Sequence, residues 1–456
     1  MTLQLDQLVE QLPPGVVTTD PNRMEKYRSD RSGNAFGEPG FPVAVVRAES
    51  AEHVQIALRW ADRHQTPVVT RGAGTGLSGG GAAISEGIVL STERMRSVEI
   101  DVSSCTAKVQ PGLLNAELKL AASALGLWYP PDPSSFEICS IGGNIATNAG
   151  GLCCVKYGVT SDYVLGLEVV LADGTILRLG GPRLKDSAGL SLTKLLVGSE
   201  GILGVITEAT LRLLPQQPSA STAVALFPTS QNATEAVLEI THQIRPSMLE
   251  YMDRASINAV EDHLRMGLDR TAAAMLVAQS DAEDSVADKE LSIMVAALET
   301  SGATEVFTTT DAEESEAFVA ARRAVIPAFE RRGPLLLEDV GVPLAELPAL
   351  VRGIDRIGAE RGVQIALIAH AGDGNTHPLL SYDPSDLEQT LAAQRAFGEI
   401  MEMAIQLGGT ITGEHGVGRL KRPWLRGQIG DDALELTKRV KAAFDPHGIL
   451  NPGVIV

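Results

Sequence analysis

The 456-residue chain is poor in cysteine, and this scarcity removes several classes of protein. Its four cysteines form no CxxC pair, which argues against a zinc ribbon or an iron–sulfur cluster. A disulfide framework is not expected at this length, so we predict a reducing compartment. Residues 1–10 lack the basic and apolar regions of a signal peptide. We therefore expect a cytoplasmic protein, with any attachment to a membrane being peripheral and made through a partner.

Long apolar runs and an excess of positive charge are also missing. No stretch reaches the roughly 18 apolar residues that a membrane-spanning helix requires. The net charge is −19 and the isoelectric point is near 4.9, which repels nucleic acid and anionic membrane surfaces. A hydrophobic fraction of 44% and a charged fraction of 21% are typical of a globular protein. The length predicts two or three domains.

What the chain does have is glycine, concentrated first in residues 71–81, Arg-Gly-Ala-Gly-Thr-Gly-Leu-Ser-Gly-Gly-Gly. A Rossmann phosphate loop opens a helix, but the next predicted element here is a strand at 87–91. A glycine-rich loop between two strands can still bind phosphate through its backbone amides, with the Thr75 and Ser78 hydroxyls as further donors. A flexible surface loop is the equal alternative. No Walker lysine follows the loop, so a nucleotide-dependent transferase is the least favoured class.

Two more loops of small residues follow, at 140–151 and at 198–207, the first of them preceded by Pro130-Pro-Asp-Pro-Ser-Ser135. Three such loops in one region indicate a long ligand that lies against several backbone segments. FAD fits that description better than ATP does.

Residues 370–377 read His-Ala-Gly-Asp-Gly-Asn-Thr-His after an apolar strand at 363–370. The Asp-Gly dipeptide at 373–374 predicts a two-residue hairpin turn, which would place His370 opposite His377 with their Cβ atoms about 4.5–5.5 Å apart. With Glu414, the two imidazoles would form a two-histidine, one-carboxylate metal set that leaves a position open for substrate. His415 would then be a candidate base. The alternative is a solvated histidine pair, which is the commoner outcome for this spacing alone.

The secondary-structure pattern divides the chain. Short strands and glycine-rich loops dominate up to about residue 214, with a helix at 51–64 and separate strands at 204–207 and 211–214. From 221 onwards strands and helices alternate, and a single helix is predicted over 313–331. This alternation favours an α+β sandwich with helices on one face of a mixed or antiparallel sheet. A last helix is predicted at 431–444.

Together these motifs resemble the FAD-dependent 2-hydroxy-acid dehydrogenases of the vanillyl-alcohol oxidase / p-cresol methylhydroxylase superfamily. The resemblance runs from about residue 41 to 453. Its motifs are Arg71-Gly-Ala-Gly-Thr-Gly, Pro131-Asp-Pro, Ser140-Ile-Gly-Gly-Asn, Gly198-Ser-Glu-Gly, the 370–377 run, Gly413-Glu-His-Gly416 and Leu450-Asn-Pro-Gly453.

The resemblance implies an α+β fold in three parts. Residues 1–217 would form a two-part PCMH-type FAD-binding domain. Residues 218–410 would form a substrate, or cap, domain with a ferredoxin-like sheet, and the C-terminal helical segment 411–456 would return to the flavin.

It also implies the site residues. The first loop would hold the FAD pyrophosphate, Glu200 and Ile206 would lie near the adenosine half, and Asn451 near the isoalloxazine. The full set expected to contact FAD is Arg71, Gly72, Gly74, Thr75, Gly76, Ser78, Pro131, Asp132, Gly142, Gly143, Thr147, Glu200, Ile206 and Asn451. The first loop has no His or Cys, so we expect the FAD to be bound non-covalently.

By the same resemblance, His370, His377 and Glu414 would bind a divalent metal, either zinc or manganese/iron. His415 would be the base, and Arg322 would clamp the substrate carboxylate, although a solvated helix arginine is the ordinary alternative. Leu337 and Leu379 stand where the hydroxyglutarate branch of the family has a lysine and an asparagine. This difference favours a small or apolar-tailed substrate.

The expected reaction is oxidation of a 2-hydroxy acid such as lactate or glycolate, with the D configuration favoured, to the 2-oxo acid. The alternatives are a D-2-hydroxyglutarate dehydrogenase, a metal-free oxidase that uses oxygen on an alcohol, and a non-catalytic flavin-binding or metal-binding subunit. Electrons would leave to a partner subunit, a quinone, a carrier protein or oxygen. The oligomeric state stays open, with a homodimer as one option.

Overall fold

The computed structural model describes residues 2–33 and 37–456, and all that follows concerns those residues. The helices are α1 (Thr2–Gln11), α2 (Pro21–Met24), α3 (Ala51–His64), α4 (Asn115–Ser123), α5 (Ile141–Thr147), α6 (Cys154–Tyr157), α7 (Leu192–Leu196), α8 (Ser230–Gln243), α9 (Arg254–Leu264), α10 (Asp284–Thr300), α11 (Ala312–Arg323), α12 (Val325–Glu330), α13 (Leu347–Arg361), α14 (Leu387–Gln406) and α15 (Arg422–Phe444). The strands are β1 (Val17–Thr18), β2 (Ala44–Arg47), β3 (Val68–Arg71), β4 (Ile88–Ser91), β5 (Val98–Asp101), β6 (Thr106–Val109), β7 (Leu127–Trp128), β8 (Val164–Val170), β9 (Ile176–Gly180), β10 (Val205–Arg212), β11 (Leu214–Pro215), β12 (Ser221–Phe227), β13 (Met248–Asp253), β14 (Ala274–Ser280), β15 (Glu305–Thr309), β16 (Leu335–Leu337), β17 (Val340–Gly341), β18 (Ile365–His370) and β19 (Asn375–Ser381).

The chain divides into two units. The first unit contains Met1–Ala149, Val159–Gln216 and Glu414–Val456, and the second contains Gly150–Gly158 and Gln217–Gly413. The mixed helix and strand content confirms the expected α+β class.

The first unit begins with a small sheet in the order β1-β2-β4-β3, in which β2, β4 and β3 are parallel. Helix α3 makes the crossover from β2 to β3, and it spans the residues that the sequence predicts. Ser50 caps its first turn by accepting a hydrogen bond from the His53 amide. Its buried residues Val54, Ala57, Leu58 and Ala61 follow the helical period and pack in one cluster with the sheet.

A second sheet of this unit has the antiparallel order β5-β6-β10-β8-β9. Its strand β10 is continuous over residues 205–212, so the prediction of separate strands at 204–207 and 211–214 was wrong. Side chains 205, 207, 209 and 211 are all buried, alternating with partly exposed ones. Register shifts in the pairing with β8 allow a single strand to continue through residues 205–212.

The C-terminal segment joins the first sheet of the same unit. Helix α15 is interrupted at Gly430, which has φ 80° and ψ 168°, so its second part coincides with the helix predicted at 431–444. The segment then runs along β3, where the Val68 amide donates to the Ile449 carbonyl and the Asn451 amide donates to the Val68 carbonyl, both at 2.8 Å.

The second unit is built on an eight-stranded sheet in the order β15-β12-β14-β13-β18-β19-β16, with β17 also pairing with β19. All of its pairs are antiparallel. The single helix predicted over 313–331 was wrong, because α11 ends and α12 begins around Ala324. Pro327 has no amide for the carbonyl of Arg323, and its ring would crowd that carbonyl in a continuous helix.

Within the described chain, no helix combines the length and the apolar composition needed to cross a bilayer.

Candidate active site

The two predicted histidines lie on one hairpin of the second unit, at the end of β18 and early in β19. His370 pairs with Asn375, and His377 pairs with Ile368. The prediction that His370 faces His377 directly was therefore wrong. The turn contains four residues, 371–374, instead of two, because the Asp373 side chain accepts a hydrogen bond from the Asn375 amide at 3.1 Å and Gly374 takes a φ of 81°.

The histidines nevertheless meet. His377 lies two residues after Asn375, so it projects from the same face of the sheet as His370. The ring centroids are 5.1 Å apart, with the planes at 83°. Each residue is only 3% exposed, which excludes the alternative of a solvated pair.

Glu250, on β13, is the residue that contacts the side chain of His370 across the neighbouring strand. The two residues are directly paired across neighbouring strands, and Glu250 Oε1 lies 2.8 Å from His370 Nδ1. The other carboxylate oxygen lies 2.8 Å from Nε of Arg322, and both of these side chains are 1% exposed. Sequence reasoning missed Glu250, although a single charged residue inside the buried strand Met-Leu-Glu-Tyr-Met was a usable signal. Arg322 is thus a buried, ion-paired arginine, and its role as a substrate clamp stays a prediction.

Asp339 is placed similarly beside the second histidine. Its Oδ1 lies 3.9 Å from His377 Nδ1. Its carboxylate also accepts hydrogen bonds from the Thr412 hydroxyl at 2.6 Å and from the Gly413 amide at 3.0 Å. Asp339 is fully buried, and it too was missed, despite the adjacent acids Glu338-Asp339 after an apolar strand. Each histidine therefore has a buried carboxylate near its Nδ1 atom.

Glu414 and His415 open the C-terminal segment of the first unit. The His415 Nε2 atom lies 3.8 Å from Glu414 Oε1, and both side chains are mostly buried. The Ser78 hydroxyl lies 2.9 Å from the carbonyl oxygen of His415 and 2.8 Å from that of Gly416. Ser78, predicted to contact FAD, thus connects the glycine-rich loop to the segment that carries the candidate base, as does Arg419, whose guanidinium donates to the carbonyls of Gly79 and Ala82.

Glu200 strengthens the same connection. Its carboxylate accepts hydrogen bonds from the amides of Val417 at 2.7 Å and Gly418 at 2.8 Å. Burial raises the pKa of the Glu200 carboxyl to about 7, while these two amides act in the opposite direction. The Asn451 side-chain amide donates to the carbonyls of Glu200 and Gly80 at 2.8 and 2.9 Å. The predicted contacts of Glu200 and Asn451 with FAD stay predictions.

Arg71 braces the first glycine-rich loop from inside. It is 7% exposed, and its guanidinium donates to the carbonyls of Gly81 at 3.1 Å and Lys26 at 3.2 Å. Gly74 has a φ of 75°, and a Cβ at this position would collide with the Arg71 guanidinium. A side chain at position 74 would therefore require Arg71 to move and would carry the backbone strain of a positive φ.

The three small-residue loops are connected to one another within the first unit. The Ala73 amide donates to the Ser140 hydroxyl at 3.2 Å. The Gly198 and Glu200 amides donate to the carbonyls of Ile145 and Ala146 at 2.9 and 2.8 Å. The side chain of Asn451 joins the third loop back to the first. This arrangement fits a long cofactor lying along several backbone segments.

The remaining predicted contacts lie on the same loops and on β10. Gly142 and Gly143 are in the first turn of α5, and the Thr147 hydroxyl donates to the Gly143 carbonyl at 3.3 Å. The Pro131 carbonyl, next to Asp132, accepts a hydrogen bond from Asn115 at 3.2 Å. The other members of the set are Gly72, Thr75 and Gly76 in the first loop and Ile206 on β10.

The first unit therefore contains connected glycine-rich loops, and the second contains a buried histidine pair with carboxylate partners. Two family profiles match the chain, "FAD binding domain" over residues 42–180 and "FAD linked oxidases, C-terminal domain" over residues 216–455. The chain belongs to the FAD-linked oxidase family and is an FAD-dependent oxidoreductase.

Its relatives include glycolate oxidase subunit GlcD of Bacillus subtilis, which is 41% identical over 91% of this chain and 88% of the relative. A D-lactate dehydrogenase of Archaeoglobus fulgidus is 34% identical over 99% of this chain and 98% of the relative. Among solved structures, p-cresol methylhydroxylase with bound substrate superimposes with a TM-score of 0.83, covering all of this chain and 96% of the other at 18% identity. This last likeness shows that the fold is shared, and the predicted family resemblance is confirmed.

Proposed function

We propose that this protein oxidises a small 2-hydroxy acid, of the glycolate or D-lactate class, to the corresponding 2-oxo acid. The observation that carries the proposal is the buried pair His370 and His377, each with a carboxylate near its Nδ1 atom. Relatives at 41% and 34% identity are named for glycolate and D-lactate oxidation. The proposed division of labour is FAD binding by residues 1–217, substrate binding by 218–410 and return to the flavin by 411–456.

A divalent metal, zinc or manganese/iron, would be held by His370, His377 and Glu414. Because His370 uses Nδ1 toward Glu250, its Nε2 is the nitrogen that would serve as ligand, an orientation typical of metal-binding histidines. Glu414 is joined by one peptide bond to Gly413, whose amide is bound to Asp339 beside His377. Nitrogen and carboxylate donors of this kind suit these metals. A bound metal would supply Lewis-acid stabilisation of the deprotonated hydroxyl.

In the proposed mechanism His415 accepts the proton of the substrate hydroxyl, since an imidazole exchanges protons near neutral pH. Arg322 would bind the substrate carboxylate with the terminal nitrogens of its guanidinium, while its Nε stays with Glu250. Bound FAD would supply the acceptor for the two electrons of the Cα–H bond.

Binding of FAD would be non-covalent, because residues 71–81 contain no His or Cys. The relative GlcD is named as a subunit, which supports a partner subunit as the electron acceptor. A quinone, a carrier protein and oxygen are the other acceptors to be distinguished. A cytoplasmic location, peripheral to the membrane through such a partner, follows from the same proposal, and a homodimer is one arrangement to test.

The size of the substrate is suggested by two leucines. Leu337 on β16 and Leu379 on β19 are directly paired, and Leu379 is fully buried two residues after His377 on the same face. Because these two apolar side chains offer no partner for a second carboxylate, they favour glycolate or lactate over a dicarboxylate such as 2-hydroxyglutarate.

The test is a panel of D- and L-2-hydroxy acids with an artificial dye acceptor, run with and without a chelator. We expect D-lactate or glycolate to be oxidised best, and activity to be lost with the chelator and restored by a divalent metal. Full activity after complete metal removal, or rapid reoxidation of the reduced flavin by oxygen with simple alcohols as the best substrates, would support the metal-free oxidase instead. A colourless purified protein would refute the whole proposal.

A further inference from the structure

Glu250, in the second unit, contacts both His370 and Arg322 through its carboxylate. One carboxylate oxygen contacts His370 Nδ1 at 2.8 Å, and the other contacts Arg322 Nε at the same distance. All three side chains are buried, at 1–3% exposure. The three residues come from β13, α11 and β18, so the contact is assembled by tertiary structure alone.

A buried ion pair of this kind is not a means of gaining stability. Removing two charges from water carries a large free-energy cost that their mutual attraction can fail to offset, and apolar replacements of the pair are often neutral or stabilising. The Glu250–Arg322 pair would thus be replaceable by two apolar side chains if packing were its only role. Its neighbours in the strand, Leu249 and Tyr251, are both buried.

The geometry indicates a different role. A carboxylate that accepts from Nδ1 of a histidine fixes the tautomer and the ring orientation, so that Nε2 carries the lone pair. The same carboxylate also forms an ion pair with Arg322, with the second oxygen 2.8 Å from Nε, and this attraction limits where the guanidinium can lie. One residue thereby sets the direction of a histidine and of a guanidinium.

We propose that Glu250 is a positioning residue that orients His370 toward the metal and Arg322 toward the substrate carboxylate. The inference rests on the proposed function, since it assumes that His370 binds a metal and that Arg322 meets substrate. Through Glu250 the metal-binding and substrate-binding groups are held as one rigid element.

The experiment compares Glu250→Gln and Glu250→Leu with the wild type, as full-length protein loaded with FAD. Zinc and manganese affinities are measured by competition with a chromophoric chelator after metal removal. Glutamine retains an oxygen that can accept from Nδ1, whereas leucine retains none. We expect the leucine variant to lose about 10–100-fold in metal affinity, and the glutamine variant to lose less. The KM for the hydroxy acid should rise in both variants, because Arg322 loses its anchor.

Two further variants separate positioning from folding. Glu250→Leu leaves Arg322 as an uncompensated buried charge, so the double variant Glu250→Leu/Arg322→Leu removes both charges and should fold. It should still show the loss in metal affinity. Asp281→Asn is the matched control, because Asp281 is another buried carboxylate of the second unit that pairs with a cation, and its partners are Lys156, Tyr157 and Gln217. It should lower stability and leave metal affinity unchanged.

The outcomes distinguish the two proposals. If wild-type protein binds metal and the leucine and double variants bind it as tightly, the inference about Glu250 is overturned while the proposed function stands. If wild-type protein binds no metal, the proposed metal centre fails, and the inference fails with it. A loss confined to the Glu250 variants, with FAD content unchanged, supports positioning.

Discussion

Glu200 and Val417 are 217 residues apart in the sequence, yet the Val417 amide donates a 2.7 Å hydrogen bond to the Glu200 carboxylate. This carboxylate is buried, and it also accepts from Gly418. Together with the bonds from Ser78 to the carbonyls of His415 and Gly416, it fixes the backbone on both sides of Gly416. The candidate base is thus anchored to the glycine-rich loops by hydrogen bonds that Ser78 and Glu200 make with the backbone around it.

The raised pKa of Glu200 makes stability depend on pH. Its ordinary pKa is 4.5, and in the folded protein it is about 7, so the folded state binds the proton more tightly than the unfolded state. Its contribution is therefore fully present below pH 4.5 and is lost as pH rises through 7. The loss amounts to about 3 kcal/mol of unfolding free energy. Urea unfolding at intervals from pH 4.5 to 8 measures it.

Glu200→Gln provides the comparison, because the amide does not titrate in this range. We expect the difference in unfolding free energy between wild type and variant to change in favour of the variant as pH rises. Parallel curves at all pH values would show that Glu200 does not titrate as described.

His415→Ala should retain FAD and metal while losing most turnover. A positioned general base contributes about 10²–10⁴-fold, so kcat should fall within that range when it is removed. His447→Ala is the control in the same unit, since His447 is an exposed histidine paired with Asp62. Steady-state kinetics with a dye acceptor and flavin absorbance provide the measurements. Undiminished turnover in His415→Ala would reject the assignment of the base.

His370→Ala and His377→Ala should each purify with FAD but with little or no metal. Two ligands are insufficient for tight binding at the proposed site, so the ratio of metal to flavin, measured by elemental analysis, should fall well below that of the wild type. His242→Ala, an exposed histidine on α8 of the same unit, should keep the wild-type ratio. Equal metal content in all of these proteins would exclude the proposed ligand set.

Leu337→Lys should shift substrate preference toward dicarboxylates. A lysine beside Leu379 would provide a cation for a second carboxylate at a partly exposed strand position. We expect the ratio of kcat/KM for D-2-hydroxyglutarate to that for D-lactate to rise by about tenfold, equivalent to about 1.4 kcal/mol. Leu337→Met, which preserves an apolar side chain, is the control. An unchanged ratio would place these leucines away from the substrate.

Gly74→Ala should impair FAD retention more than Gly15→Ala does. Both glycines have positive φ, 75° and 83°, so both substitutions carry a similar backbone strain of about 1–2 kcal/mol. Only at Gly74 would the new methyl group also collide with the Arg71 guanidinium, while the space around Gly15 is open. For both variants, the flavin released during gel filtration is measured together with the thermal unfolding temperature. The comparison separates the backbone strain, which both variants share, from the collision with Arg71, which only Gly74→Ala has. Equal behaviour would mean that the loop can move away from Arg71.

The sequence determined those features that depend on neighbouring residues. Helix α3 could be predicted to the residue because its apolar period and the Ser50 cap are both local. Motifs spread along the chain were sufficient to indicate the family. Local pattern was already less reliable where a proline interrupted a helix, as at Pro327, or where a bulge allowed one strand to continue, as in β10.

Only the tertiary structure decided which buried partners the candidate site residues have. His370 contacts Glu250 across 120 residues of sequence, and His377 lies near Asp339, which is in the connection between β16 and β17. Even the hairpin register at 370–377 depended on a side-chain hydrogen bond in its turn, which lengthened the loop from two residues to four. Periodicity and turn chemistry act over a few residues. The side-chain partners of these histidines depend instead on the order in which distant strands pair, and no local sequence pattern specifies that order.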